Sequence, residues 1–154
     1  MIKQLCEIRD VILRARLQLR FGRLSRAPLR LLRLEWRNNH VDCDWLARPR
    51  DEWDKQLSSH VGESNESLQA LEDAILVRDL LFSSFREISS ARLRIYREEA
   101  DGSHELIIIG TVTPSERFLY KVHSLAMRAK LYGFQFYLDN SKLVSFHTDG
   151  SRTL

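Results

Sequence analysis

Apolar positions along this chain repeat with two periods, and the period changes mark its elements. Leu5, Ile8, Ile12, Ala15 and Leu19 recur at three- and four-residue spacing, which predicts a helix over residues 1–21. Lys3–Glu7 and Asp10–Arg14 are i,i+4 pairs of opposite charge, and Gly22 suits the position just past a helix end. From Leu13 to Phe21 apolar and polar residues also alternate strictly, so a strand stays open there. The Leu, Arg, Ala and Gln content favours the helix.

After Pro28 the period becomes two. Leu32, Leu34 and Trp36 alternate with Arg33, Glu35 and Arg37; beyond Asn38-Asn39, Val41, Cys43 and Trp45 alternate with Asp42 and Asp44. Asn tolerates positive φ, so a two-residue turn predicts a hairpin. Its register sets Trp36 against Val41, Leu34 against Cys43 and Leu32 against Trp45, with Arg33 facing Asp44 and Glu35 facing Asp42.

Residues 49–65 are polar, with a helical turn suggested near Trp53, and read as a linker. Ser64 or Asn65 then caps a helix to about Phe85, with Leu68, Leu71, Ile75, Phe82 and Phe85 as its stripe and Arg78 interrupting it. Two strands follow, "ARLRIY" and "ELIIIGTV", joined by a turn at "EEADGS". Thr113, Pro114 and Glu116 form a capping box for a helix to Tyr132, with Phe118, Val122, Leu125, Ala129 and Tyr132 inward and Gly133 ending it. "FQFYL" and "KLVSF" make a last strand pair.

The expected class is α+β: helices on one face of a mixed or antiparallel sheet, in the order α-ββ-α-ββ-α-ββ. The expected organisation is a basic helix-plus-hairpin unit at 1–48, the linker at 49–65, a second unit at 66–147 and a tail at 148–154.

Composition adds a charge gradient. The 154 residues carry a net charge of +3, distributed as +6 over residues 1–48, −5 over 49–90 and +2 over 91–154. Either the acidic middle folds over the basic start, or the basic start meets an external anion. Hydrophobic content of 44% is enough for a packed core. The two cysteines, Cys6 and Cys43, make no disulfide framework. No apolar run reaches spanning length, and Glu7, Arg9 and Asp10 interrupt any signal-like segment. The expected location is therefore cytoplasmic, or the envelope if a leader has been removed.

The second unit resembles a known family. A helix leading into "ARLRIYREEADGSHELIIIGTVTPSE", a helix containing Ala126 and Ala129, Gly133 and a closing strand resemble the BON domain (bacterial osmotic-shock and nodulation). Gly110, Val112, Ser115, Ala126, Gly133 and Phe134 fall at matching places over about residues 66–147. The family usually has valine where Phe134 stands. The resemblance implies a non-enzymatic module that associates with membranes, phospholipid head groups or other proteins. It offers no catalytic residues to carry over.

Candidate chemistry is sparse. His40, Asp42, Cys43 and Asp44 lie together, but strand geometry turns Cys43 away from the other three, and no second ligand cluster has zinc-site spacing. Neither a metal nor another cofactor is expected. No nucleophile motif or phosphate-binding glycine loop occurs, so no enzymatic activity is expected. Charge contact is the remaining theme. Arg33 and Arg37 have acidic strand neighbours and Arg14 has Asp10; Arg16 shares the same tract. Arg20, Arg23, Arg26 and Arg30 have no obvious local partner and are the first candidates for binding. Arg117, Lys121 and Arg128 form a second basic stripe, either a solvated helix face or a track for phosphates. The leading expectation is docking on an anionic membrane surface or a protein partner. The alternatives are a nucleic-acid-binding protein using the basic N-terminal segment and a protein-interaction subunit.

Overall fold

The computed structural model describes residue 9 and residues 22–50, 56–114 and 119–146. The helix expected over residues 1–21 falls outside these, apart from Arg9, which is helical. The described elements are β1 (Arg30–Arg37), β2 (His40–Leu46), α1 (Ser59–Ser84), β3 (Ser90–Glu98), β4 (His104–Val112), a 3-10 turn (Leu119–Lys121), α2 (Leu125–Tyr132), β5 (Phe134–Gln135), β6 (Tyr137–Asp139) and β7 (Lys142–Val144). Strands β1 to β5 form one sheet in sequence order, and β6 and β7 pair separately. The sheet is antiparallel except where β2 runs parallel to β3. The class is α+β.

The first hairpin follows from its alternation. Trp36 pairs with Val41, Leu34 with Cys43, Glu35 with Asp42 and Arg33 with Asp44, while Asn38 takes a φ of 53° at the turn. One pairing differs. Leu31, not Leu32, stands opposite Trp45, because a bulge between Leu31 and Arg33 inserts one residue.

One sheet face is apolar. Val41, Cys43, Trp45, Ala91, Leu93, Ile95, Ile108, Val112 and Phe134 are buried there against Ala70, Leu71, Ala74, Val77 and Leu81 of α1 and Ala129 of α2. Gly110 lets β5 approach β4: a Cβ there would meet Phe134 Cδ1 at 2.7 Å. On the other face, the middle of β1, β2 and β3 is charged. The register aligns Arg33, Asp44 and Arg94 in one row and Glu35, Asp42 and Arg92 in the next. Burial raises the pKa of Asp44, with Arg94 and Arg33 opposing that shift.

Helix α1 starts inside the segment read as a polar linker. Ser58, not Ser64 or Asn65, is its N-cap, and Ser58 Oγ accepts a hydrogen bond from Val61 N. Gly62 belongs to its first turns, where a Cβ would lie 3.0 Å from the Arg50 guanidinium. The expected stripe also rotates. Leu71 and Ile75 are buried, but Leu68 is 39% exposed and the buried side includes Ser67, Gln69, Asp73 and Arg78. Phe85 is buried but lies at the C-cap.

The helix expected from Thr113 to Tyr132 does not form as one piece. Thr113 and Pro114 are irregular, and Glu116 and Phe118 lie outside the described residues. Among the described residues between β4 and α2, Leu119–Lys121 form a 3-10 turn. Ser124 caps α2, its hydroxyl accepting from Met127 N, and so supplies a competing start. Gly133 ends α2 with φ 109°, as its sequence position predicts.

The last strand also divides. Phe136 turns into the core between β5 and β6, so β5 completes the main sheet while β6 pairs with β7. The described order is therefore ββ-α-ββ-α-β-ββ. This corrects the expected order: the described residues contain two helices, and the closing strand pair is not a hairpin of the main sheet.

Candidate functional site

The basic junction is held from beneath. Arg48 leaves the end of β2 and buries its whole side chain against the Asp73 carboxylate of α1, Nε to Oδ2 at 2.8 Å. Gln69, one turn earlier, donates to the other Asp73 oxygen at 2.9 Å. These groups then bind the chain that precedes β1. Gln69 Oε1 accepts from Leu24 N at 2.6 Å, and Arg48 Nη1 donates to Ala27 O at 2.9 Å. Ser25 Oγ donates to Pro49 O at 3.1 Å. Gly22 is required at the edge of this network, since a Cβ would meet the Gln69 amide at 2.6 Å. Burial pushes the Asp73 carboxyl up to about 6, with Arg48 and Gln69 pulling against it.

The pattern of the segment is thus inward at Leu24, Ser25 and Ala27 and outward at its arginines. Arg23, Arg26 and Arg30 are exposed. Arg30 approaches Glu98 at 3.7 Å, a distance that leaves both groups largely in water.

Beside the junction lies a pocket of about 170 Å³ whose wall includes Arg30, Arg50, Glu63, Glu66, Arg97 and Lys142. Its charges are mostly matched to one another. Arg50 binds Glu66 at 2.6 Å and Glu63 at 3.7 Å, and Lys142 reaches Glu63 at 3.5 Å. Arg97 donates to Leu143 O at 2.7 Å and binds Glu99 at 3.0 Å. Arg97 also holds the Glu99 carboxyl below its ordinary range, whereas burial raises that of Glu66. The acidic middle of the chain does fold over basic residues. The ones it binds include Arg48 and Arg50.

The structure does not gather the expected residues into one site. Arg14, Arg16, Arg20 and Arg117 lie outside the described residues. Lys121 is exposed at the end of the 3-10 turn. Arg128 is half-buried on α2, with Nε buried and without a hydrogen-bond partner. Neither Lys121 nor Arg128 lines the pocket. Sequence reasoning passed over Arg48, Arg50, Gln69 and Asp73, whose partners lie far away in the chain. Arg78 did leave a signal by interrupting an apolar stripe. It is buried, donates to Thr113 O at 3.0 Å and stacks over Tyr132 at 4.0 Å from the ring centre.

One cluster has the outline of a nucleophile, a base and a carboxylate. His40 Nδ1 lies 2.7 Å from Ser90 Oγ, and His40 Nε2 lies 3.1 Å from Asp42 Oδ1. None of the three lines the pocket, which lies at the other end of β2. The three side chains form a hydrogen-bonded row at the start of the β2–β3 seam. Cys43 is on the opposite side of β2, and burial pushes its thiol up to about 12, so it is an unreactive core residue. Among the described residues no group of three or more His, Cys, Asp and Glu side chains is placed to hold a metal. None of the described helices is long and apolar enough to cross a membrane. Set against family models, curated proteins and solved structures, the chain matches none of them.

Proposed function

We propose that this protein is a non-enzymatic binding module that docks on an anionic phospholipid surface through the junction between residues 22 and 30. One observation carries the reading: Arg23, Arg26 and Arg30 project from a segment whose backbone is fixed by buried groups. An anchored segment presents its charges at little further cost in chain entropy. The pocket beside it, at about 170 Å³, is smaller than ordinary small-molecule sites and its charges are already paired, which favours docking over catalysis. The helix–hairpin–helix–strand order of residues 59–135 supports the BON-like reading, whose family associates with such surfaces.

Vesicle flotation tests it. The full chain is expected to float with phosphatidylglycerol-containing vesicles at low salt, to stay behind with neutral ones, and to be released by added salt. Each arginine near such a surface contributes about 1 kcal/mol, so changing Arg23, Arg26 and Arg30 together to Ala lowers partitioning roughly a hundredfold. Equal binding to neutral and anionic vesicles overturns the proposal. Retention of single- or double-stranded nucleic acid in a steeply salt-dependent gel shift, with no flotation, moves the assignment to nucleic acid.

A further inference from the structure

We infer that β1 is a self-complementary edge through which two copies of this chain pair antiparallel about Leu34, joining two five-stranded sheets into one. The two sheet edges differ. β5 is two residues long, whereas β1 is eight, and among the described residues no strand pairs with its outer side. Asn38-Asn39 is a two-residue turn, so Arg37 and His40 form the closing hydrogen-bonded pair of the hairpin. Alternation then points the backbone groups of Glu35 and Arg33 toward β2, and those of Trp36 and Leu34 outward to the free edge.

The side chains along that edge read the same way in both directions. With the two-fold axis at Leu34, Leu34 meets Leu34, and Arg33 of one protomer meets Glu35 of its partner, twice. Leu32 of one protomer falls opposite Trp36 of the other. Leu34 and Trp36 are only half-buried in the single chain, and Leu32 is 41% exposed, so the pairing covers apolar surface. Arg33 and Glu35 form the non-hydrogen-bonded pair of this register, the one that brings side chains closest. Glu35 already draws Arg33 and Arg37 of its own strand toward it, which places both charges at the edge. Moving the two-fold to Arg33 sets Arg33 against Arg33 and moving it to Glu35 sets Glu35 against Glu35, whereas at Trp36 Leu34 falls opposite the turn residue Asn38. Only the Leu34-centred arrangement has both charge pairs matched and Leu32 opposite Trp36. The bulge at Leu31 to Arg33 limits the paired stretch, so the dimer is modest in area and concentration-dependent.

Sedimentation equilibrium over a wide concentration range, with amide hydrogen exchange on the same samples, tests this. Wild type is expected to rise from the mass of one chain toward two, with the amides of Leu34 and Trp36 gaining protection as it does. Glu35→Arg sets guanidinium against guanidinium at both symmetric pairs and raises the dissociation constant about tenfold. Arg33→Glu added to Glu35→Arg restores opposite charges and returns it to within about threefold of wild type. Thermal melts establish that each variant is folded; if one is not, the protection of Leu34 and Trp36 in wild type decides. A single-chain mass at every concentration overturns the inference. So does growth into open assemblies, or a dimer that leaves those amides unprotected or ignores the charge swap.

Discussion

Arg48 and Arg50 leave the same strand two positions apart, and both bind carboxylates of α1, yet they are different kinds of interaction. The Arg48–Asp73 pair has no exposed side-chain surface. Arg50 keeps 26% of its side chain exposed and divides itself between Glu63 and Glu66. A buried pair cannot lose one member without stranding the other, whereas a wet pair exchanges protein partners for water. The acidic helix therefore locks the junction at one position and only decorates it at the next.

The largest expected effect separates these two at once. Arg48→Ala leaves Asp73 buried without a cation and is expected to cost about 3–5 kcal/mol in urea denaturation. Replacing both members, Arg48→Met with Asp73→Leu, recovers most of it, because a matched apolar pair leaves no stranded charge. A loss below about 1 kcal/mol for the single variant would erase the distinction between the sites.

The next effect is a pH dependence. The unfolded Asp73 carboxyl ionises near its ordinary 3.8 and the folded one near 6, so between those values the folded state holds the extra proton. Its contribution is present in full below about pH 4, falls as the pH rises and is gone above about pH 6. The amount is about 3 kcal/mol. Denaturation curves across that window are expected to show the slope in wild type and its loss in Asp73→Asn. An unchanged slope assigns it to other groups.

The smallest effect belongs to Arg50. Arg50→Ala is expected to cost at most about 1 kcal/mol and to cost less still at high salt. A loss equal to that of Arg48→Ala would mean that exposure does not decide the energetics here.

What the sequence disclosed follows the same division. The hairpin register was legible because alternation and the Asn-Asn turn are local signals, and it failed only at Leu31, where a bulge breaks the alternation. Gly133 was legible because the requirement for positive φ at a helix end is local too. The start of helix α1 is hidden in the sequence because Ser59 to Asn65 has the composition of solvent-exposed chain. Its buried stripe was blurred because Gln69 and Asp73 bind Leu24 and Arg48, which a single sequence does not connect to them. Ser67 hides in the same way by accepting from Leu143 N, 76 positions away. For the candidate site, the sequence left open whether Arg23, Arg26 and Arg30 are covered by acidic chain; all three are exposed. The groups that hold their backbone were not legible, since buried polar residues reveal themselves only through partners.

The parallel seam between β2 and β3 has a kinetic consequence. Among the described residues every other strand pair joins neighbours in sequence or closes over α2, but Val41 meets Ala91 across fifty positions. The entropy of closing so long a loop is lost before the seam returns any stabilisation. Each hairpin can form alone within microseconds, while their union waits for α1 to lie across both. The junction arginines are oriented by Gln69 and Asp73 on that same helix, so the surface they present is completed only when the slowest contact in the fold has closed.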